Sequence, residues 1–384
     1  MNKVPKLRFP EFSGEWEEKK CSNLFDKIRN SVDVEENKLY KQIGIRSHGK
    51  GIFYKDEVIG KELGNKRVFW VEPNVFIVNI VFAWERAIAR TTENERGMIA
   101  SHRFPMYKPK EEILDLDYIT CFFKTNKGKA LLELASPGGA GRNKTLGQKE
   151  FDNLKIILPK VEEQKKIGSI LSLMDKKIQK QQEKVEALKD YKKCMMQKIF
   201  SQEIRFKGEN GEEYPEWKVR SFEELYLSIS TKNYQIKSSE IQKEGALEVI
   251  DQGKEFICGF TNSIDKVFNQ LPVIIYGDHT TNVKFRDKEF VVGADGTKLL
   301  TNKNKDNNLK FLYYVLYFNN IKPEGYKRHF SILKQLNLNI ASSLEEQQKI
   351  STFLSTLDKK LEKEQEKLDS LNQWKKGLLQ QMFI

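Results

Sequence analysis

Cysteine and histidine are scarce in this sequence, with four of each among 384 residues. No Cys-x-x-Cys pair is present, and no histidine stands near a cysteine at the spacing of a zinc site. The four cysteines are scattered singly: Cys21, Cys121, Cys194 and Cys258. We interpret them as buried free thiols of a protein in a reducing compartment.

Long apolar runs are also absent. The N-terminal stretch MNKVPKLRFPEF has no apolar core of a signal peptide. The longest apolar run, at 75–84, is interrupted by Asn79 and is too short for the roughly 20 residues that a membrane helix needs. The sequence therefore predicts a soluble cytoplasmic protein without a membrane partner.

Motifs of the common catalytic sites are missing as well. The stretches SPGGAGRNKT, GKELGNK and GADGTK do not meet the G-x-x-x-x-G-K-[ST] spacing of a phosphate loop. The sequence has no N-P-P-Y, D-P-P-Y, G-x-S-x-G or H-E-x-x-H run. Asp278-His279 is more typical of a hydrogen-bonded turn than of an acid-base pair. The sequence thus predicts a protein that recognises a partner without chemistry of its own.

Positive charge and aromatic residues are abundant. The formal net charge is +12, the pI is about 9.2, and the chain has 24 Phe. This aromatic content indicates a folded protein, because disordered chains have few aromatic residues. The basic charge favours a polyanionic partner, and nucleic acid is preferred over an acidic membrane.

The chain contains an internal repeat. EEQKKI at 162–167 returns as EEQQKI at 345–350, which is 183 residues later (345 minus 162). The match extends without a gap over 161–200 and 344–383, with about half of the pairs identical. Leu7-Arg8-Phe9 and Glu15-Trp16 are likewise echoed by Ile204-Arg205-Phe206 and Glu216-Trp217. The sequence is therefore a tandem duplication with two dissimilar inserts.

Each repeat predicts one long coiled-coil helix, because apolar residues occupy the a and d positions of heptads. Gln181 and Glu364 interrupt a d position in each copy. The predicted seam consists of Leu171, Met174, Ile178, Val185, Leu188, Leu354, Leu357, Leu361, Leu368 and Leu371. We expect the two helices to pack antiparallel, with a pseudo-twofold axis between them. The alternative is that each seam packs only on its own insert.

The segments that enter the two helices are also alike. Residues 154–158 and 336–340 alternate like a final strand. The acidic pairs Glu162-Glu163 and Glu345-Glu346 follow, where a helix N-terminus favours negative charge. We interpret these carboxylates as capping charges and not as catalytic groups.

The two inserts, at about 28–157 and 228–340, share an order of elements. The first has strand-like runs at 68–71 and 75–80 and a helical stretch near 114–134. The second has strand-like runs at 272–276 and 289–292 and a helix around 309–319. The pattern predicts mixed α/β domains with one scaffold and different surfaces.

Basic and polar residues concentrate in four turn-like places within the inserts. Such side chains contact phosphates and base edges in protein–DNA complexes. The candidate DNA-binding residues are Arg46, His48, Lys50, Arg142, Asn143, Lys144, Thr145, His279, Thr280, Thr281, Asn282, Lys327, Arg328 and His329. No metal ligand and no catalytic residue is predicted.

Two variable inserts alternate with two repeated helices, and the first helix is entered by P-x-x-E-E-Q-x-K-I at 159–167. L-R-F-P-E-F stands near the N-terminus, and E-W segments are repeated. In these features the sequence resembles the specificity subunit of type I restriction-modification enzymes. The second copy departs from the pattern, with Ala341-Ser-Ser where the first has Leu158-Pro-Lys. The resemblance implies that each insert is a target recognition domain that reads one half of a split DNA sequence.

The resemblance also implies partners and a fold. Two methyltransferase subunits use S-adenosylmethionine, and two restriction and translocase subunits use ATP with Mg for cleavage, so this chain binds no cofactor. The fold class is α+β, with two recognition domains of mixed α/β structure joined by two antiparallel helices in pseudo-twofold, circular symmetry.

The predicted domain boundaries are 1–157 for the first recognition domain, 158–200 for the first helix, 201–340 for the second recognition domain and 341–384 for the second helix. The resemblance implies that the helices act as a fixed spacer and as a docking surface for the two methyltransferase subunits. Half-sites read from one face of B-DNA lie about 34–36 Å apart. A helix of about 38 residues, roughly 57 Å long at 1.5 Å per residue, can span that distance.

Two other functions stay open on the residues alone. A stand-alone nuclease would use a cryptic acidic site at Asp278, Glu289 or Asp295. A basic coiled-coil scaffold would bind protein or RNA through the inserts.

Overall fold

The computed structural model describes residues 3–139, 144–293, 295–325 and 327–384. The chain divides into two units. The first unit consists of residues 1–183 and 366–384, and the second unit of residues 184–365. Each unit therefore includes one insert and a part of each long helix.

The first unit is built from short strands and a few short helices. Its strands are β1 (Glu17–Lys20), β2 (Phe25–Ile28), β3 (Leu39–Ile45), β4 (Ile52–Ile59), β5 (Val68–Trp70), β6 (Phe76–Val78), β7 (Ile88–Arg90), β8 (Ile99–Ser101), β9 (Met106–Pro109) and β10 (Lys155–Leu158). Its helices are α1 (Cys21–Leu24), α2 (Gly60–Leu63), α3 (Leu116–Lys124), α4 (Asn126–Leu134) and α5 (Gln148–Asn153).

These strands form three sheets. One has the order β4-β3-β8-β5 and a second has the order β2-β9-β6-β7. Strand β3 runs antiparallel to β4 and parallel to β8. The third sheet pairs β1 with β10, so the Glu-Trp segment lies beside the predicted final strand. This pairing fixes the start of the domain against its end.

The helical stretch predicted near 114–134 consists of two helices, which meet at Thr125. The backbone of Thr125 is extended, with φ −71° and ψ 167°, so α3 ends there. The Thr125 side chain then accepts a hydrogen bond from the Gly128 amide and caps α4. The cap residue Asp115 likewise accepts from the Tyr118 amide at the start of α3.

An aromatic core joins the second sheet to these helices. Phe25, Phe76, Tyr107, Phe123 and Phe151 contact one another with ring centroids 4.8 to 6.3 Å apart. The same core takes in apolar side chains from both repeats, among them Ile167, Leu171, Met382 and Phe383. The first insert thus packs on the long helices instead of standing apart from them.

The second unit contains a second set of strands and helices. Its strands are β11 (Lys218–Ser221), β12 (Tyr226–Ile229), β13 (Leu247–Ile250), β14 (Gly259–Thr261), β15 (Val273–Gly277), β16 (Val283–Arg286), β17 (Val291–Val292), β18 (Thr297–Asn302) and β19 (Asn337–Ile340). Its short helices are α7 (Phe222–Leu225), α8 (Leu309–Phe318) and α9 (Phe330–Leu333). The two long helices are α6 (Val161–Phe200) and α10 (Leu344–Gln381).

The topology of the second unit repeats that of the first, except that its described residues have no counterpart of β5. Strand order β12-β18-β15-β16 matches β2-β9-β6-β7, and β13 pairs antiparallel with β14 and parallel with β17. Strands β11 and β19 pair as β1 and β10 do. Helix α8 begins after Asn308, whose side chain accepts from the Phe311 amide as Asp115 does in the first unit. The predicted shared scaffold of mixed α/β domains is confirmed.

The long helices pack antiparallel within each unit. In the first unit, Asp175 near the start of α6 pairs with Lys375 near the end of α10. In the second unit, Lys192 pairs with Asp358. These ion pairs are equivalent, because Asp358 and Lys375 stand 183 residues after Asp175 and Lys192. Each repeat therefore supplies one acid and one base to the same type of cross-helix contact.

The predicted seam residues turn away from solvent. Leu171, Met174, Val185, Leu354, Leu368 and Leu371 are buried, and Ile178, Leu188, Leu357 and Leu361 are half-buried. Leu171 and Leu354 belong to the cores of the first and second units, respectively. This burial supports the assignment of these residues to the helix–helix seam. The contact that each residue makes across the seam stays a prediction.

The second glutamate of each Glu-Glu pair has a role beyond capping. Glu163 is buried and forms two hydrogen bonds with the Arg8 guanidinium, of 2.9 and 2.8 Å. Glu346 is buried and forms the same contact with Arg205, at 3.1 and 2.9 Å. The arginine of each Leu/Ile-Arg-Phe segment thus binds the first turn of a long helix.

The glutamine that follows adds hydrogen bonds at the same place. We call the contacts of Glu-Glu-Gln with the preceding arginine, the entry strand and the cap of α3 or α8 the joint. The Gln164 side chain accepts from the Asp115 amide at 3.0 Å and donates to the Pro159 carbonyl at 2.8 Å. The Gln347 side chain accepts from the Asn308 amide at 2.8 Å and donates to the Ala341 carbonyl at 2.8 Å. The repeated Glu-Glu-Gln therefore ties the N-terminal segment, the entry strand and the cap of α3 or α8 to one helix end.

We expect Arg205→Ala to destabilise the second unit by about 3 kcal/mol, because the buried Glu346 carboxylate loses its counter-charge. Arg220→Ala is the matched control, since its ion pair with Glu224 is exposed and contributes less than about 1 kcal/mol. Urea unfolding followed by hydrogen exchange in β11 and β19 measures both. Equal losses of stability would contradict this role of the joint.

Candidate nucleic-acid interface

The loop between β3 and β4 carries the first predicted cluster. Arg46, His48 and Lys50 are exposed in it. The loop is held by the segment between β6 and β7, because the His48 amide donates to the Glu85 carbonyl at 2.7 Å and the Gly49 amide to the Arg86 carbonyl at 2.8 Å. The three candidate side chains thus extend from an anchored turn.

The second cluster of the first unit reaches the same segment. Lys144 Nζ lies 5.6 Å from the ring centroid of Trp84, and Thr145 is exposed. The amide of Leu146 donates to the Ile80 carbonyl at 2.9 Å. Arg142 and Asn143 lie outside the described residues. Two clusters that are about 95 residues apart in sequence therefore meet at segment 79–86.

In the second unit the two predicted clusters contact each other directly. The amides of His329 and Phe330 donate to the main-chain and side-chain oxygens of Asp278, at 2.8 and 2.9 Å. The His279 Nδ1 atom lies 3.2 Å from the Lys327 carbonyl oxygen. Residues 277–282 and 327–329 therefore form one surface.

Gln252 joins this surface to the hairpin of β13 and β14. Its side chain accepts from the His279 amide at 3.1 Å and donates to the Asp295 carbonyl at 2.7 Å. Its carbonyl accepts from the Asn282 side chain at 3.1 Å and from the Thr280 hydroxyl. This hairpin occupies the topological place of β3 and β4, so each unit brings together the same pair of loops.

Lys284 of β16 binds the loop of the β13–β14 hairpin through hydrogen bonds to its main chain. Its ammonium group donates to the Asp251 carbonyl at 2.9 Å and to the Glu255 carbonyl. Burial lowers the pKa of Lys284, because desolvation disfavours its charged form. We assign this lysine to holding the loop and not to contact with a ligand.

Burial divides the candidates of the second unit into two groups. Lys327 and Arg328 are exposed, and His279, Thr280 and Asn282 are half-buried. His329 is fully buried, and its Nε2 atom accepts from the Glu324 amide at 3.0 Å. Thr281 is buried as well. These two residues therefore shape the loops and do not offer a side chain to a ligand in this structure.

Sequence reasoning missed the residues that connect the clusters. Trp84, Arg86 and Gln252 lie in the mixed segments VFAWERA and IDQGKE, so a search for basic and polar runs passes over them. Arg86 has a φ of 61°, in the left-handed region that non-glycine residues rarely adopt. Sequence carries no signal for that conformation.

No metal centre is apparent in the part of the chain that the structure describes. No group of three or more His, Cys, Asp or Glu residues there could hold a metal ion. The Asp278 carboxylate is occupied by a backbone amide, and that of Asp295 by the Gln235 side chain. The two carboxylates therefore hold loop segments together through hydrogen bonds.

The four cysteines are free, as predicted, but only Cys21 and Cys121 are buried. Burial raises the pKa of Cys121 and of the half-buried Cys258 to about 11, so both thiols are protonated at neutral pH. Cys194 is exposed, which corrects the expectation that all four lie inside. Within the described ranges, no helix is long and apolar enough to cross a membrane.

Known proteins share this sequence pattern and fold. The family model of the type I restriction modification DNA specificity domain matches residues 13–190 and 214–373. A putative type I restriction enzyme MjaX specificity subunit from Methanocaldococcus jannaschii is 23% identical over 413 residues, covering 97% of this chain and 94% of the relative.

Two solved structures show the likeness of fold. The S subunit of a type I restriction-modification system from M. genitalium has a TM-score of 0.67 at 16% identity, and 99% of each chain is covered. A structure described as the basis of complex assembly and conformational transition of the type I R-M system has a TM-score of 0.52 at 16% identity. It covers 95% of this chain and 96% of its own.

We expect Asp278→Ala to speed hydrogen exchange at the Phe330 amide by about tenfold, because that amide loses its carboxylate acceptor. Asp265→Ala, at an exposed position of the same unit, is the control and should leave this amide unchanged. Exchange measured by NMR or mass spectrometry distinguishes the two. Unchanged protection in Asp278→Ala would show that the loops hold together without it.

Proposed function

Because the chain belongs to the family of type I restriction-modification DNA specificity domains, we propose that each unit reads one half of a bipartite DNA target. The observation that carries this proposal is the double match, since one chain contains two copies of a DNA specificity domain. The units share a topology but differ in their loop residues. Two different half-sites are the target that such a chain can recognise.

The expectation of a specificity subunit is confirmed by the family model and by the full-length relative. The chain is a non-catalytic, DNA-recognising subunit. S-adenosylmethionine, and ATP with Mg, are used by the methyltransferase and restriction subunits of the complex. The comparisons support neither the stand-alone nuclease nor the basic scaffold.

We assign the recognition domains to residues 1–157 and 201–340, and the spacer helices to 158–200 and 341–384. In support, β10 and β19 close their sheets at Leu158 and Ile340, and the helices begin within four residues of these strands. The Glu-Glu-Gln joints lie at these junctions. The boundaries at 157/158 and 340/341 therefore lie where each insert ends and a repeated helix begins.

DNA contact is assigned to the loop surfaces of the two units. In the first unit the candidates Arg46, His48, Lys50, Lys144 and Thr145 belong to two loops that both contact segment 79–86. Arg142 and Asn143 stay candidate DNA contacts on the basis of the sequence alone. In the second unit, His279, Thr280, Asn282, Lys327 and Arg328 are the accessible candidates. Arg, Lys, His, Asn and Thr side chains are suited to phosphate oxygens and base edges.

The long helices are assigned a double role as spacer and as docking surface for two methyltransferase subunits, with two restriction subunits joining for cleavage. The sequence repeat supports this role, because about half of the residue pairs of 161–200 and 344–383 are identical and the two helices form equivalent ion pairs, Asp175–Lys375 and Lys192–Asp358. Two related helix surfaces fit two copies of one partner. We further propose that the protein acts in the cytoplasm, where its DNA target is.

We expect cells that express this chain with its methyltransferase to gain adenine methylation at a split motif. Two short half-sites separated by a fixed unspecified gap are the expected pattern, because two domains read DNA from one spacer. Long-read methylation mapping measures it. Methylation at one continuous motif, with both proteins folded, would contradict the assignment of one half-site to each unit.

Lengthening both helices is expected to lengthen the gap. One heptad inserted after Gln182 and one after the equivalent Gln365 would add about 10 Å at 1.5 Å per residue, or roughly 3 base pairs. A heptad in one helix only is the control, since it shifts the seam out of register and should abolish assembly. An unchanged gap in the double insertion would show that the helices do not set the spacing.

A further inference from the structure

A basic groove lies in the first unit between the turn that joins α3 to α4 and the last turns of α10. Its volume is about 550 Å³. The cationic side chains that line it are Arg86, Lys124, Lys127, Lys375 and Lys376. Polar side chains of Thr125, Asn126, Asn372 and Gln380 lie among them. None of these residues is among the candidates that the sequence predicted, and only Arg86 also belongs to segment 79–86, where the loop clusters meet.

The positive charge of the groove is only partly neutralised. Asp175 pairs with Lys124 at 3.9 Å and also with Lys375. Lys127 and Lys376 are exposed. The Arg86 guanidinium donates from Nη1 to the Lys124 carbonyl at 3.0 Å, while its buried Nε atom has no hydrogen-bond partner among the described residues. A donor of this kind, beside exposed lysines, suits an anionic ligand.

The groove continues from the loop that carries Arg46, His48 and Lys50. The amide of Gly49 donates to the carbonyl of Arg86, and a Cβ atom built on Gly49 would lie 3.0 Å from Cγ of Lys124. The N-terminus of α4, a nine-residue helix, opens at the same place and adds its partial positive charge. DNA that contacts the β3–β4 loop therefore meets the groove next.

The second unit has a different surface at the equivalent place. Tyr317 stands where the first unit has Lys124, because α8 follows its cap Asn308 as α3 follows Asp115. Lys192, the equivalent of Lys375, lies 5.1 Å from the Tyr317 ring centroid. Aromatic side chains thus occupy, in the described residues, the position that cations occupy in the first unit.

We propose that this groove binds the sugar-phosphate backbone of DNA beside the half-site that the first unit reads. The proposal rests on the function assigned above and extends it, because α10 then contacts DNA through Lys375 and Lys376. Phosphate contacts fix a protein on the duplex without reading sequence. The groove therefore adds affinity and a fixed position on one side of the target only.

The test compares Lys376→Glu with Lys193→Glu in the complex assembled with the methyltransferase. Lys193 is the equivalent residue of the other repeat, 183 positions earlier, and it is also exposed. The two variants therefore change net charge and helix surface alike. Binding is measured across a salt series for two duplexes. One contains the split motif that methylation mapping identifies, and the other has a scrambled sequence.

We expect Lys376→Glu to weaken binding about tenfold and to reduce the slope of log K against log salt by about 1, since one phosphate contact is lost. Binding to the scrambled duplex should fall by a similar factor. Lys193→Glu should change affinity less than about twofold. Size-exclusion chromatography verifies that both variants assemble with the methyltransferase.

Three outcomes would overturn the proposal. Equal weakening by the two variants would assign the effect to net charge, and wild-type affinity in Lys376→Glu would leave the groove without DNA. Loss of methyltransferase assembly in Lys376→Glu alone would make the groove a site for an acidic protein segment. In all three the wild-type complex still methylates a split motif, so the proposed function is judged separately.

Discussion

The buried ion pair between an arginine and the second glutamate of Glu-Glu-Gln holds each unit together. Arg8 and Glu163 are 155 residues apart in sequence, and Arg205 and Glu346 are 141 apart, yet each pair forms two hydrogen bonds. A buried carboxylate without its counter-charge is costly, so each pair holds the chain that precedes a domain against the helix that follows it. The neighbouring glutamine then sets where α3 or α8 begins. The orientation of each insert on its helix depends on this joint.

Because the joint is repeated while the loops are not, one framework presents two different surfaces. The β3–β4 and β13–β14 hairpins each meet a loop of the neighbouring sheet, but the contacts differ. Carbonyl groups of Glu85 and Arg86 hold the first hairpin, whereas Gln252 of the second hairpin binds His279 and Asn282. The residues that would read DNA can therefore change without disturbing the core. This separation of a repeated framework from different loops suits a chain that contains two copies of a DNA specificity domain.

The two units are less symmetric than the repeat suggests. Lys375 and Lys192 form equivalent ion pairs, yet their other neighbours are cations in the first unit and tyrosines in the second. One unit therefore offers an open basic groove, and the other a packed aromatic surface. A spacer helix can in this way set a distance and also favour one side of a DNA target.

The amino-acid sequence by itself determined the duplication, the two long helices, the final strands at 154–158 and 336–340 and the family. These depend on local periodicity and on a repeat that any comparison of the chain with itself reveals. Tertiary structure alone decided what the repeated residues do. The sequence predicts only capping charges at Glu163 and Glu346, because it cannot show that Arg8 and Arg205 fold back on them. Burial likewise removed His329 and Thr281 from the exposed loop surface, and contacts across the chain placed Arg86 beside Lys124. Long-range contacts of single residues leave no periodic signal, so only the folded chain could reveal them.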